Sequence, residues 1–366
     1  PQVPLAFLVG FEMIVINPQK PKYIRMFAWY RLLRVWASLR FDDHRGLLPS
    51  SLHFVNGALK GTLVRTKTSG AGKKREELYI HIDGGAFIRE STWLQAGWTL
   101  WESVRTERDF LLVLPSADYQ SVIHLEAQYS DSLALSRHLL SHLVDTSGSP
   151  LLIAEGASAF WLEHGDRATL PTMVSSITTI PSDWIDDLGR WSSKTSVQYV
   201  RSQLRRVAFV QRELASHIRG GRMSLQALGE DDLMARWAQF MCARAVPDEV
   251  AIKQASTVAA LSASFLKPRP EAPEPAAPEV APASVEFASS LPTDAAQAQA
   301  TETGVDDSCL PVAPVGSSLE VYEPPVIPLG MYLVSVQPRS RFRRLHRMGE
   351  CAYRPGVDFK YFELLG

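Results

Sequence analysis

Four short patterns along the 366-residue chain gather side chains suited to chemistry on an anion. They are Leu39-Arg40-Phe41-Asp42-Asp43, Arg65-Thr66-Lys67-Thr68, His164-Gly165-Asp166-Arg167, and Leu188-Gly189-Arg190-Trp191 followed by Tyr199-Val200-Arg201. Arg40 and Arg167 offer rigid guanidinium forks that match a phosphate bidentately. His164 is a candidate proton acceptor or phosphate donor, and Lys67 a candidate general acid. A phenol such as Tyr199 has an ordinary pKa of about 10 and attacks only with help from a positive charge and a proton acceptor. Taken singly, each pattern has an ordinary reading. An Arg with acidic neighbours is a surface ion pair and a hairpin Lys is solvated. H-x-x-R arises by chance, and a Tyr on a helix is half-buried core.

The elements that must position these residues are legible in outline. From Lys22 to Leu39, apolar residues recur at helical spacing with Arg25, Arg31 and Arg34 on other faces, which predicts one amphipathic helix ending near Arg40. Ser51 to Thr66 reads as two strands around Asn56-Gly57, the dipeptide best suited to a type I′ hairpin. Lys67 then lies at or just past the second strand, and a third strand is expected at Glu77 to Ile82. Helical patterns return at Ser91 to Thr106, Ser130 to Val144, Leu170 to Ile177 and Lys194 to Ile218. The expected class is α+β, mainly helical, with a small antiparallel β-sheet.

Composition sets the remaining boundaries. Residues 1–20 read as an N-terminal remnant: Pro1 to Ile16 is apolar, carries Glu12, and is too short to span a bilayer. A chain opening on Pro1 suggests a fragment. The catalytic domain is expected over 21–220 and a helical extension over 221–266. Pro, Ala, Glu, Ser and Thr dominate 267–330, a composition that cannot bury enough surface to stay ordered, so a disordered linker is expected there. Residues 331–366 form an aromatic and basic tail with Arg339, Arg341, Arg343, Arg344 and Arg347. His346 and Cys351 in it supply two possible metal ligands, short of the four a zinc site needs. The net charge of −1 marks no global field, so any nucleic-acid surface must be local. Three cysteines, Cys242, Cys309 and Cys351, form no CxxC pair, which suits a reducing compartment.

In order and spacing the four patterns resemble the catalytic domain of the tyrosine recombinase (phage integrase) family. Arg40 matches its first arginine, Asp43 its supporting acid, Lys67 its hairpin lysine, and His164 with Arg167 its H-x-x-R box. Tyr199 stands ten residues after Gly189, the family's spacing from the Leu-Gly motif to the nucleophile. The resemblance covers about Lys22 to Ile218. One position departs: many relatives place His directly after Leu-Gly, where this chain has Arg190 and then Trp191. The Gly-Arg-Trp-Ser string is similar to the eukaryotic mobile-element branch, the DIRS-like and Crypton-like recombinases, in which Trp191 would take the His role unless Arg190 supplies the donor.

The resemblance implies cleavage and rejoining of double-stranded DNA through a 3′-phosphotyrosyl link, with Arg40, Lys67, His164, Arg167, Trp191 and Tyr199 catalytic. It also implies self-association on DNA and a nuclear location in a eukaryote. No cofactor, metal, nucleotide or membrane is expected, and the sequence carries no Walker loop, HExxH or two-metal carboxylate pattern. Arg201, Arg205, Arg206, Arg212, Lys60, Arg65, Lys73 and Lys74 are candidate phosphate contacts or simply solvated faces. Relatives carry a helical domain ahead of the catalytic one. Two other readings therefore stand: a catalytically inactive DNA-binding relic, and an interaction scaffold that works through its linker and tail.

Overall fold

The computed structural model describes residues 1–64, 78–189 and 200–268, together with three short strands nearer the C-terminus. The chain divides into two units, 1–279 and 280–366. The first unit runs α1 (Leu5–Ile16), α2 (Lys22–Trp36), α3 (Phe41–Arg45), β1 (His53–Val55), β2 (Ala58–Leu63), β3 (Leu78–Ile82) and α4 (Trp93–Glu102). It continues through β4 (Val113–Pro115), β5 (Val122–Glu126), α5 (Tyr129–Ser141), α6 (Gly165–Val174), α7 (Ser182–Gly189), α8 (Val200–Arg219), α9 (Glu230–Cys242) and α10 (Asp248–Phe265). The architecture is α+β, with helices around the small antiparallel sheet β1-β2-β3 and a separate β4-β5 hairpin. In the second unit, Met331–Ser335 is the middle strand of an antiparallel sheet with Leu345–Arg347 and Phe359–Glu363. The linker expected at 267–330 lies outside the described residues from 269 on, as do the side chains of the basic tail.

Helix α2 is the hub. The expected amphipathic helix is instead buried all round, because α1, α4, α5 and α6 pack against it. Arg31 and Arg34, expected on other faces than the apolar stripe, are enclosed at 2% and 1% exposure. The helix also ends at Trp36 rather than Leu39. Ser38 adopts a left-handed conformation (φ 47°), and the Leu39 N–H reaches back to the Arg34 carbonyl at 2.8 Å while the Ser38 N–H reaches Val35. That is a Schellman stop, which releases the chain from the helix axis just before Arg40.

The hairpin forms as its turn residues dictate. Asn56 (φ 52°) and Gly57 (φ 74°) both take the positive angles of a type I′ turn, and Val55 pairs with Ala58. β2 pairs with β3 from Leu59↔Ile82 to Leu63↔Leu78, so Leu59, Leu63, Ile80 and Ile82 face the core. Lys67 falls in the β2 to β3 connection, outside the described residues.

Both ends of the first unit are structural. The segment read as a remnant forms α1, and its Glu12 is fully buried, accepting the backbone N–H groups of Ile88, Arg89 and Glu90 at 2.8, 2.8 and 3.0 Å. An apolar run with one acid is what an enclosed helix needs when the acid has backbone donors to meet it. The extension forms α9 and α10, and α10 packs on α1. Glu230 receives the Leu5 N–H, the Ser262 hydroxyl receives the Ala6 N–H, and Gln254 receives those of Ile153 and Ala154.

Helix α4 touches α2 at Gly97, where a Cβ would overlap the indole of fully buried Trp29. Gly97→Ala should therefore lower stability by about 1–3 kcal/mol through overpacking, despite alanine's better helix propensity. Urea unfolding should show an earlier midpoint at unchanged slope.

Candidate active site

Asp43 links the backbone of one predicted arginine to the side chain of the other. Arg40 caps α3 in an extended conformation, and its backbone N–H donates to Asp43 Oδ2 at 3.0 Å. The same oxygen accepts Arg167 Nη1 at 3.0 Å, across 124 positions of sequence. Arg167, buried at 7% exposure, also donates to the Ser38 carbonyl at 3.4 Å. Burial lowers its guanidinium pKa from the ordinary value, the positive charge of Arg40 lowers it further, and Asp43 opposes both. Asp43 thus ties the Arg40 backbone to the Arg167 side chain, and the Arg40 charge acts on the Arg167 guanidinium.

His164 is exposed at the N-cap of α6, one helical turn ahead of Arg167. Residues three apart lie on one helix face, so the imidazole and the guanidinium can serve the same ligand. The two positions flanking the imidazole's turn carry buried acids. Asp166 binds Arg31 Nη2 at 2.6 Å and Arg34 Nη2 at 2.5 Å, and Glu163 pairs with Arg34 Nη1. Ser132 and Ser136 donate to Glu163 as well. Burial raises the Glu163 carboxyl, but Arg34 and Arg31 outweigh it and hold the pKa at about 2.

His44, next to Asp43, packs edge-on against Tyr30 and is enclosed. Its two ring nitrogens have no hydrogen-bond partner among the described residues. Burial first, and then the Arg34 charge, push its pKa down to about 3. The unfolded imidazole titrates near 6.5, so between 6.5 and 3 the unfolded chain holds a proton that the folded one refuses. Stability from this residue is full above pH 6.5 and falls as pH drops toward 3. Glu12 and Glu230, raised by burial to about 7, act in the opposite sense between 7 and 4.5. The comparison that isolates His44 is wild type against His44→Leu in urea. Wild type should lose about 1.4 kcal/mol per pH unit below 6.5 relative to the variant.

Trp191 and Tyr199, with Arg190, lie outside the described residues, which resume at Val200. The helix expected over Lys194 to Ile218 is described as α8 from Val200, directly after Tyr199. Its seat is fixed by Gln211, which is fully buried. Gln211 Nε2 donates to the carbonyls of Trp36 (2.8 Å) and His81 (2.9 Å), and its Oε1 accepts the Asp83 N–H at 2.9 Å. Helix α8 is therefore tied to the end of α2, four residues before Arg40.

The candidate phosphate contacts divide. Arg206 bridges to Asp183 and Asp187 at 3.4 and 3.5 Å and lies over Trp184, which fastens α7 to α8. Arg212 pairs with Asp83 at 3.2 Å, Arg205 is exposed, and Lys60 is half-buried on β2. Arg65, Lys73, Lys74 and the Arg201 side chain lie outside the described residues.

No family model, curated protein or solved structure matches the chain. Among the described residues no cluster of three or more His, Cys, Asp or Glu is placed to hold a metal ion. No helix among them is long and apolar enough to cross a membrane. Sequence reasoning missed Glu163, Asp166, Arg31, Arg34, His44 and Gln211. The signal for the first four was present: Arg31 and Arg34 repeat at i,i+3 on one helix, and Glu163 and Asp166 repeat at the same spacing.

Proposed function

We propose that the chain is a tyrosine recombinase catalytic domain that cuts and rejoins double-stranded DNA through Tyr199. What carries the reading is that Asp43 Oδ2 accepts both the Arg40 backbone N–H and the Arg167 guanidinium, with the Arg40 charge acting on Arg167 and His164 one turn away. Attack on a phosphodiester concentrates charge on its two non-bridging oxygens, and two preorganised guanidiniums meet that charge without reorganising. The Tyr199 hydroxyl oxygen forms the new bond to phosphorus, and its proton passes to His164. The bond from phosphorus to the 5′ oxygen breaks, and Lys67 protonates the departing oxygen. Trp191, or Arg190 in its place, donates to a phosphate oxygen. The 3′-phosphotyrosyl link keeps the energy of the bond that was broken, so religation needs no nucleotide. The domain would self-associate on paired DNA sites and, in a eukaryotic host, work in the nucleus.

Incubation with a nicked suicide duplex tests the reading, because loss of the short cleaved strand stops religation. A protein and DNA adduct that survives denaturation is expected. A retarded complex without any adduct would instead mark a DNA-binding relic. Unchanged DNA behaviour after deletion of 267–366, with loss of a protein partner, would assign that region to scaffolding.

A further inference from the structure

We infer that Arg31, Arg34, Glu163 and Asp166 form a buried charge lock that holds His164 and Arg167 in place against Arg40. The inference rests on reading Arg40, His164 and Arg167 as the phosphate site, and it makes the four locking side chains positioning residues for it.

All four are at most 2% exposed. Asp166 spans both guanidiniums through separate oxygens, Oδ1 to Arg31 and Oδ2 to Arg34. Glu163 does the same, with Oε1 3.6 Å from Arg31 Nη1 and Oε2 on Arg34 Nη1. Two acids three residues apart thus interlock with two arginines three residues apart, and the four charges cancel. Taking each ion out of water costs several kcal/mol, and well-packed apolar residues could join α2 to α6 at least as stably. Stability is therefore a weak reason for such a cluster. What the cluster can supply is a defined register, because each guanidinium faces particular carboxylate oxygens.

The register matters because of what stands beside the lock. Glu163 immediately precedes His164, and Asp166 immediately precedes Arg167. The first turn of α6 cannot rotate or slide along α2 without breaking both acids from their partners. At the other end, the Arg34 carbonyl accepts the Leu39 N–H at 2.8 Å in the turn that delivers Arg40. One residue of the lock therefore anchors the element carrying the first arginine, while its partners carry the second. The three site residues come from two segments more than a hundred positions apart, and a displacement of about 1 Å at a reacting group can cost on the order of a hundredfold in rate.

The test uses the full chain in which Arg31→Met, Arg34→Met, Glu163→Met and Asp166→Leu are combined, so that no buried charge is left alone. Helical content and unfolding midpoint report the fold. DNA affinity, single-turnover cleavage of the suicide duplex at saturating protein, and binding of orthovanadate report the site. The lock predicts a folded variant with DNA affinity within a few fold of wild type. Cleavage should be about a hundredfold slower and orthovanadate binding at least about tenfold weaker. A folded variant that matches wild type in both cleavage and orthovanadate binding overturns the lock. If the fourfold variant does not fold, Arg31→Lys keeps the charge but loses the fork. Measured where far-UV dichroism shows the variant folded, it should slow cleavage by about tenfold or more, and an unchanged rate again overturns the proposal. Should wild type give no adduct yet bind orthovanadate, the recombinase reading fails by itself and orthovanadate binding alone decides the lock.

Discussion

Tyr199→Phe should bind the nicked duplex as wild type does and yield no covalent adduct at any time or protein concentration. The substitution removes one oxygen and nothing else, so the nucleophile is lost while the ring stays. No other side chain is expected to replace it. A tyrosine or serine elsewhere would lack the two guanidiniums that stabilise the transition state, and a free phenol or hydroxyl is a poor nucleophile on its own. The measurement is a denaturing gel of the suicide-substrate reaction beside a native shift assay. An adduct of undiminished yield in the variant would move the nucleophile to another residue.

Arg167→Lys should reduce the single-turnover cleavage rate on the order of a hundredfold or more, with DNA affinity changed only a few fold. The fold should survive, because an ammonium at this position still answers Asp43, the partner of Arg167 Nη1 at 3.0 Å. What is lost is the fork. Asp43 and the Ser38 carbonyl both accept hydrogen bonds from Nη1. A lysine has one compact nitrogen and cannot hold that seat and also present a flat pair of donors to a phosphate. Removal of one preorganised donor from a comparable site typically costs about a hundredfold to a thousandfold in rate. Affinity for DNA depends on many phosphate contacts, so one conservative change barely moves it. A variant with wild-type cleavage rates would show that Arg167 is merely an ion-pair partner of Asp43.

The parts of the fold that were legible are those written in short-range chemistry. Asn56-Gly57 fixed the β1-β2 hairpin because few other dipeptides tolerate positive φ at both turn positions. Leu78–Ile82 was visible from its residue types. The exit of the chain before Arg40 was misplaced by three residues, since a serine in the left-handed conformation carries no glycine to announce it. Periodicity misread Arg31 and Arg34 because it scores an arginine as polar and cannot see that two acids about 130 positions later neutralise it. The same blindness hid α1, whose apolar character has no polar face to mark a helix. The β4-β5 hairpin escaped notice because β4 is only three residues long and ends on Pro115, too short a run to mark a strand.

At the site, residue order suggested which side chains belong together, but distance could not be read from it. That Asp43 serves both the Arg40 backbone and the Arg167 side chain is a long-range fact. Gln211 shows the same limit. A lone glutamine on a basic helix reads as solvated, yet it satisfies three backbone groups from two other elements and seats the helix that follows Tyr199.

The most direct measurement is a crystal structure of the protein with a DNA duplex in which orthovanadate replaces the scissile phosphate. The vanadium atom should be bonded to the Tyr199 hydroxyl oxygen, with the Arg40 and Arg167 guanidiniums and the His164 ring within hydrogen-bonding distance of its oxygens, about 2.7–3.2 Å. A vanadate bound elsewhere, or one held by the arginines with Tyr199 turned away from it, would contradict the account.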